Sequence, residues 1–335
     1  SYLVFDEFHL LEIERSLFTV YNILKKINKI TPFCIMTATL SDRLLDIYCN
    51  SFNAKKVYVD KADINNIASQ RNKYRRITVK KGPINIDNII KNHKTKTIVI
   101  CNTVERCQEI YIKLKEAILE NSDFINTKLL CIHSQFYSED RKRKEENIRK
   151  YFGKQNKGNV ILVSTQVIEV GIDISCEVMH VEISPINSFL QRIGRCARYE
   201  GEKGLIFVYE VQKVNIDGEE KNSPYLPYEK ELCVNTLKKL DIIKNDENLD
   251  YFKSQELIND ILTKKEIDDI VSINESNKIE TIYCCWETPA RKYASDLIRK
   301  IDAVNVLLCE NIQDLKNPFE LSTVSIYRYS LISKL

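Results

Sequence analysis

Short apolar runs recur along this chain, and the gaps between them each leave room for about one helix. The clearest are Thr97–Cys101, Lys128–Ile132, Val160–Val163, Val178–Ile183 and Leu205–Tyr209, with Tyr2–Phe5, Phe33–Met36 and Val57–Val59 before them. Amphipathic stretches lie between, among them Leu10–Ile27, Val104–Leu119 and Glu139–Tyr151. A strand that reads as a continuous apolar run is buried on both faces. When such strands alternate with helices, the connections cross over and the strands run parallel, so the pattern predicts an α/β fold with helices covering a parallel sheet. Ligands of such sheets bind outside the carboxyl ends of the strands. The residues just after each run are therefore the ones to inspect.

The chain has 335 residues, more than one ordinary core accommodates. A polar, basic stretch from Asp60 to Pro83 reads as the connection between two α/β lobes. A second break, Asn215 to Pro227, carries Gly218, Pro224 and Pro227 among charged residues. Helical patterns follow at Tyr228–Leu240 and Gln255–Val271. The expected division is 1–60, 61–214 and 215–335, the first segment supplying only the end of a lobe and the last being mainly helical. The opening Ser-Tyr-Leu-Val-Phe-Asp lacks a Met and reads as the middle of a buried strand, so a fragment of a longer protein is expected.

Composition narrows the function classes. No run of about 18 apolar residues occurs, so no transmembrane helix or membrane partner is expected. No signal peptide is visible, and a cytoplasmic location is expected. The formal net charge is only +3, so any nucleic-acid surface must be local. The basic runs Lys73–Lys81 and Arg141–Lys150 also fit solvated faces. The 11 Cys lack the paired spacing of a zinc site and read as reduced thiols, and four His leave little for a His-rich metal nuclease.

Five motifs carry chemistry. Leu3-Val4-Phe5-Asp6-Glu7-Phe8-His9 is an apolar strand ending in two carboxylates. That pair suits a nucleotide-hydrolysing site, where Asp6 holds Mg²⁺ and Glu7 accepts a proton from water. A helix N-terminus would favour the same acids. Ile35-Met36-Thr37-Ala38-Thr39-Leu40-Ser41 ends a strand in two hydroxyls, Thr37 and Thr39, which fit either a bridge to the carboxylates or an ordinary cap. Asn102 and Thr103, and then His133 and Ser134, are polar residues at strand ends. They suit phosphate contacts to a bound strand, or turn and cap chemistry.

In Ser164-Thr165-Gln166-Val167-Ile168-Glu169-Val170-Gly171-Ile172-Asp173, Thr165 could meet a backbone phosphate and Asp173 a ribose, with Gly171 allowing close backbone approach. In Gln191-Arg192-Ile193-Gly194-Arg195-Cys196-Ala197-Arg198, the three-residue spacing places Arg195 and Arg198 on one helix face, where two guanidinium groups suit a phosphoryl group in transfer.

Taken in order, these segments resemble motifs II to VI of superfamily 2 helicases, of the DExH type. The resemblance is strongest to the CRISPR-associated helicase of type I systems. It rests on Cys131-Ile132-His133-Ser134-Gln135-Phe136 with Glu139-Asp140-Arg141, on the Ser164–Asp173 segment, on Ser184-Pro185-Ile186-Asn187-Ser188 leading into Gln191–Arg198, and on Pro227-Tyr228-Glu229-Lys230-Glu231-Leu232. It covers roughly residues 1–240. The resemblance implies tandem RecA-like lobes, the first incomplete here, and an ATP-dependent single-stranded DNA translocase with ATP and Mg²⁺ as cofactors. It implies metal and water activation at Asp6 and Glu7 with His9 beside them, γ-phosphate contacts from Gln191, Arg195 and Arg198, and Gly171, Asp173 and Arg192 in the nucleotide-binding set. Thr37 and Thr39 would couple hydrolysis to movement, and Asn102, Thr103, His133, Ser134 and Thr165 would meet nucleic acid. The implied partners are the displaced non-target DNA strand, an RNA-guided effector complex and a His-Asp nuclease, fused or separate.

The sequence departs from that pattern in one respect. None of its eight Gly lies in a Gly-x-x-x-x-Gly-Lys-Ser/Thr loop, the backbone cradle that grips a triphosphate. This chain by itself is therefore expected to hydrolyse ATP poorly or not at all. The alternatives are a DEAD- or DExH-type RNA helicase, a non-catalytic nucleic-acid-binding half-motor, and a split enzyme whose second chain brings the loop.

Overall fold

A computed structural model describes residues 2–11, 16–66, 74–154, 156, 158–212, 215–216, 219–220, 225–243, 248–275, 303–306 and 324–327. The chain divides into two compact units, Ser1–Tyr58 with Tyr251–Asp302, and Val59–Asp250 with Ala303–Leu335.

In the first unit, β1 (Leu3–Phe5) and β2 (Phe33–Ile35) pair in parallel, Leu3 opposite Phe33 and Phe5 opposite Ile35. Helices α1 (Phe18–Ile27) and α2 (Asp42–Phe52) flank them. Phe8, Leu17, Leu24, Leu44, Tyr48 and Phe52 form the core beneath. Its aromatic rings meet edge-on, Phe8 to Tyr48 at 5.6 Å and Phe33 to Phe52 at 5.3 Å, the geometry their quadrupoles favour. The helical pattern expected from Leu10 yields an α-helix only from Phe18, residues 12–15 lying outside the described set. Val57–Val59 is not a strand, and Val57 is largely exposed.

The second unit opens on the short α3 (Lys61–Asn66) and is built on β3 (Tyr74–Lys80), β4 (Lys96–Ile100), β5 (Lys128–Ile132), β6 (Val160–Ser164), β7 (Val178–Glu182) and β8 (Lys203–Tyr209). They form one six-stranded sheet in the order β3-β8-β7-β4-β6-β5. Every pairing in it is parallel. The interior strands β6 and β7 are buried from end to end, as strands covered on both faces must be. The crossovers run through α4 (Ile86–Asn92), α5 (Val104–Leu119), α6 (Ser138–Phe152) and α7 (Ile186–Ile193), and α8 (Lys230–Ile242) follows the sheet. On one face Ile89, Cys107, Ile110 and Leu114 of α4 and α5 close over Val99, Ile161 and Val163.

One correction concerns the expected connection at 60–83. Within it, β3 pairs with β8 along its whole length, Tyr74 opposite Lys203 to Lys80 opposite Tyr209. Its basic residues mask it in the sequence. They suit its position, because charged side chains at a sheet edge discourage pairing with another chain. Ile77 is its buried contact with the core.

Short antiparallel pairs join β9 (Asn215–Ile216) to β10 (Glu219–Glu220) and β11 (Ala303–Val306) to β12 (Val324–Tyr327). Helix α9 (Tyr251–Glu275) packs against α2 in the first unit. The stretch after residue 215 is thus shared between both units. Among the described residues no helix is long and apolar enough to cross a membrane.

Candidate functional site

In the first unit the chemistry sits where β1 and β2 end side by side. Backbone bonds stitch their exits together, Met36 N–H donating to Phe5 O at 2.8 Å and Phe8 N–H to Met36 O at 3.1 Å. The pairing brings the two motifs into contact. His9 Nδ1 lies 3.2 Å from Thr37 Oγ1, and its Nε2 lies 3.3 Å from Glu7 Oε2. The His9 side chain is 2% exposed while that of Glu7 is 46% exposed, so the ring is fixed and the carboxylate reaches solvent. Burial holds the His9 pKa below its ordinary value, against the pull of Glu7 and Asp6. At neutral pH the ring therefore carries one proton. The arrangement that satisfies both neighbours has Nε2–H donating to Glu7 and Nδ1 accepting from the Thr37 hydroxyl. Asp6 Oδ1 accepts the Glu7 N–H at 2.8 Å. Thr39 is buried, and its hydroxyl has no hydrogen-bond partner among the described residues.

In the second unit the centre is a buried guanidinium. Arg192 is fully buried on α7. Its Nε donates to Glu169 Oε1 at 2.7 Å and its Nη2 to the Tyr228 hydroxyl at 2.7 Å. Nη1 donates to Asn102 Oδ1 at 2.9 Å and to Glu182 O at 3.0 Å. Asn102 closes the network by donating its N–H to Glu182 Oε2 at 2.7 Å and its Nδ2 to Ile183 O at 2.9 Å. Burial pushes the carboxyls of Glu169 and Glu182 upward, while Arg192 beside them pulls the other way. Arg192 and Asn102, placed in the nucleotide-binding and nucleic-acid-binding sets by the sequence, thus spend their hydrogen bonds inside the unit and tie together the ends of β4 and β7, the Glu169 loop and Tyr228. Thr103 caps α5, its Oγ1 accepting from Arg106 N at 3.2 Å.

Arg195 and Arg198 do not share a helix face. Helix α7 ends at Ile193, and Ala197 turns the backbone left-handed at φ 46°. Arg195 is 8% exposed and donates from Nε to Ile168 O at 3.1 Å and from Nη2 to Glu169 O. Arg198 instead pairs through Nε with Asp173 at the surface. The Ser164–Asp173 and Gln191–Arg198 segments are therefore bonded to each other. Gln191 is half-buried on α7. Gly171 adopts φ 82°, a conformation that favours glycine, and no atom of this chain lies within 4 Å of a Cβ placed there. Thr165 is buried at the end of β6. His133 is buried after β5, stacked on Phe136 at 4.2 Å, with a pKa pulled down to about 4 by burial and then by Lys144. Its Nδ1 accepts from Gln135 N at 3.1 Å, and Ser134 beside it is exposed.

Glu169, Glu182, Tyr228 and Arg106 were not singled out as site residues by the sequence. The one available signal was Glu182, an acid closing a mostly apolar strand. Among the described residues no group of three or more potential ligands forms a resident metal centre. Asp6 and Glu7 nevertheless fit Mg²⁺, which takes one or two carboxylates and completes its shell with phosphate oxygens and water.

Comparison with known families bears on this arrangement. The family described as CRISPR-associated nuclease/helicase Cas3, C-terminal, matches residues 93–201, the stretch from β4 to the turn after Arg198. Residues 93–201 are thus similar to the C-terminal part of the Cas3 nuclease/helicases. A Methanocaldococcus jannaschii protein assigned to the Cas3 nuclease/helicases is 29% identical over 260 residues, 72% of this chain and 32% of that protein. The CRISPR-associated endonuclease/helicase Cas3 of Escherichia coli is 34% identical over 110 residues, 32% of this chain and 12% of that protein. A DEAD-box ATP-dependent RNA helicase of Oryza sativa is 30% identical over 122 residues, 35% of this chain and 18% of the relative. Among solved structures, T. fusca Cas3 with ADP aligns over 88% of this chain and 38% of its own, with TM-score 0.65 and 18% identity. A chain from a CRISPR RNA-guided surveillance complex, pre-nicking, aligns over 88% of this chain and 40% of its own, with TM-score 0.59 and 17% identity. The aligned part of this chain spans at most about a third of these curated relatives. The six-stranded parallel sheet is the Cas3-like, RecA-like α/β fold.

Proposed function

We propose that this chain is part of an ATP-driven motor that translocates along single-stranded DNA in type I CRISPR interference. The observation that carries it is the Thr37–His9–Glu7 relay, because it joins a hydrolytic carboxylate to the hydroxyl segment that would couple hydrolysis to movement. In this reading Mg²⁺ and ATP supply the phosphoanhydride whose cleavage drives the cycle. Asp6 would hold the metal with phosphate and water. His9 keeps Glu7 oriented to accept a proton from the attacking water. Arg198 and Gln191 would face the γ-phosphate and Asp173 the ribose. Arg195, bonded to the backbone at 168–169, would hold the turn that presents them. Thr165, Thr103, His133 and Ser134 would line the nucleic-acid side. An RNA-guided effector complex that displaces one DNA strand would deliver the substrate, with a His-Asp nuclease, fused or separate, to cut it.

A second reading, an RNA helicase, is favoured by the likeness to the Oryza DEAD-box protein. A binding titration with labelled DNA and RNA single strands of one sequence separates the two. Tighter binding of DNA supports the proposal, and tighter binding of RNA hands the chain to the rival. Hydrolysis is tested in the intact motor, in which a phosphate-gripping loop is present in cis or in trans. The chain by itself should show little DNA-stimulated turnover.

A further inference from the structure

Helix α9 carries a polar stripe that the motor reading does not use. Gln255, Asn259, Leu262 and Glu266 follow one another at helical spacing, so they share one face. Leu262 within it and Leu257, Ile258 and Ile261 beside it are buried, so the stripe is held by packing rather than lying free on the surface.

Its polar groups converge on three successive residues, Leu40, Ser41 and Asp42. Gln255 Nε2 donates to Leu40 O at 3.0 Å. Asn259 grips Asp42 twice, Oδ1 accepting the Asp42 N–H at 2.8 Å and Nδ2 donating to Asp42 Oδ2 at 2.7 Å. Ser41, which caps α2 by accepting from Leu44 N at 3.2 Å, turns its hydroxyl proton to buried Glu266. Burial drives the Glu266 carboxyl upward, with Ser41 opposing. These three residues follow directly on Thr37-Ala38-Thr39, whose other end is held by His9.

We infer that α9 is a clamp on the hydroxyl segment, and that Gln255, Asn259 and Glu266 are positioning residues for coupling. With His9 at one end and α9 at the other, residues 37–39 cannot shift without moving the carboxylate site or the helix. A change at Glu7 is then transmitted to α9 rather than lost in a loop. The inference rests on the motor reading and assigns a role to a segment that the helicase motifs do not reach.

The test uses a complementary swap at the bidentate contact. Asn259→Asp sets two carboxylates against each other, and Asp42→Asn added to it restores a donor to face the new acceptor. The milder Gln255→Ala guards against misfolding of the first variant. Amide hydrogen exchange of the chain should show residues 37–44 losing protection about tenfold or more in Asn259→Asp and regaining it in the double variant, while β4, β6 and β7 stay unchanged. In the intact motor, ATP consumed per nucleotide travelled should rise severalfold in Asn259→Asp and Gln255→Ala and recover in the swap. Unchanged protection overturns the clamp whatever the activity. Lost and restored protection with unchanged ATP per nucleotide overturns the coupling role, leaving a structural prop. If the unsubstituted motor hydrolyses no ATP with DNA, the functional reading fails and coupling fails with it, a result distinct from either of the others.

Discussion

At the scale of single residues, the deciding question is where a polar side chain spends its hydrogen bonds. Arg192 spends four on Glu169, Asn102, Glu182 and Tyr228 with no exposed surface. Arg192→Met should therefore destabilise the second unit by about 3–5 kcal/mol, because Glu169 is left buried without its countercharge. Arg192→Lys should recover little, since an ammonium cannot reproduce the planar fan of donors. Urea unfolding measures both, and a loss under about 1 kcal/mol would show that the network is dispensable.

His180 makes the opposite case. It is fully buried on β7, bonded to the Tyr209 hydroxyl at 2.9 Å and stacked on Phe207, and burial lowers its pKa to about 3. The unfolded chain binds this proton near pH 6.5 and the folded chain only near 3, so stability is full above 6.5 and falls as the pH drops through that window. The fall should be on the order of 1 kcal/mol per pH unit, and His180→Gln should flatten it. An identical slope in the variant would assign the acid sensitivity elsewhere.

Arg192 and its partner Asn102 also show what the sequence conceals. Asp6, Glu7, His9 and Thr37 could be grouped because each follows an apolar run. Whether Asn102 or Arg192 faced a phosphate or Glu182 depended on how strands far apart in sequence align, and no local pattern records that.

At the scale of elements, strand and helix periods located β4 to β8 and α5, α6 and α8 to within a few residues, because buried parallel strands leave an unbroken apolar signature. β3 escaped because an edge strand needs only one inward side chain, Ile77, and carries basic residues elsewhere. The turn after α7 escaped for another reason. The spacing of Arg195 and Arg198 reads as a continuing helix, but the chain leaves the helix and lays Cys176 and Cys196 side by side. Arg75 Nε on β3 donates to Cys196 O at 2.8 Å, and Gly204 on β8 gives the turn its room. A Cβ at Gly204 would stand 2.5 Å from Cys196 Sγ and 3.2 Å from the Ala197 Cβ. Gly204→Ala should then cost about 1–3 kcal/mol by overpacking. Cys196→Ala added to it should return part of the loss, because the nearer obstacle is removed. Thermal unfolding of the single and double variants decides this. Additive losses would mean that the strain lies elsewhere.

At the scale of the whole molecule, the electrostatics limit how this chain can hold a nucleic acid. A net charge of +3 over 335 residues sets up no broad attractive field. The basic run on α6 is laced with ion pairs of its own, Arg141 to Glu145 and Arg143 to Asp140, so it is not a bare cationic face. Binding must then rest on a few Lys or Arg contacts to phosphate, each of which with a single strand lowers log K by roughly 0.7 per decade of salt, while uncharged groups at the strand ends add affinity without slope. Four such contacts would weaken binding on the order of fiftyfold between 50 and 200 mM salt. A titration series across that range should give a slope near −3, and Thr165→Ala should lower affinity at every salt concentration while leaving the slope nearly unchanged, because a hydroxyl displaces no counterion. A slope of −6 or steeper would point to a wide basic surface and away from the strand ends. A Thr165→Ala variant that binds as tightly as the parent would remove β6 from the nucleic-acid side altogether.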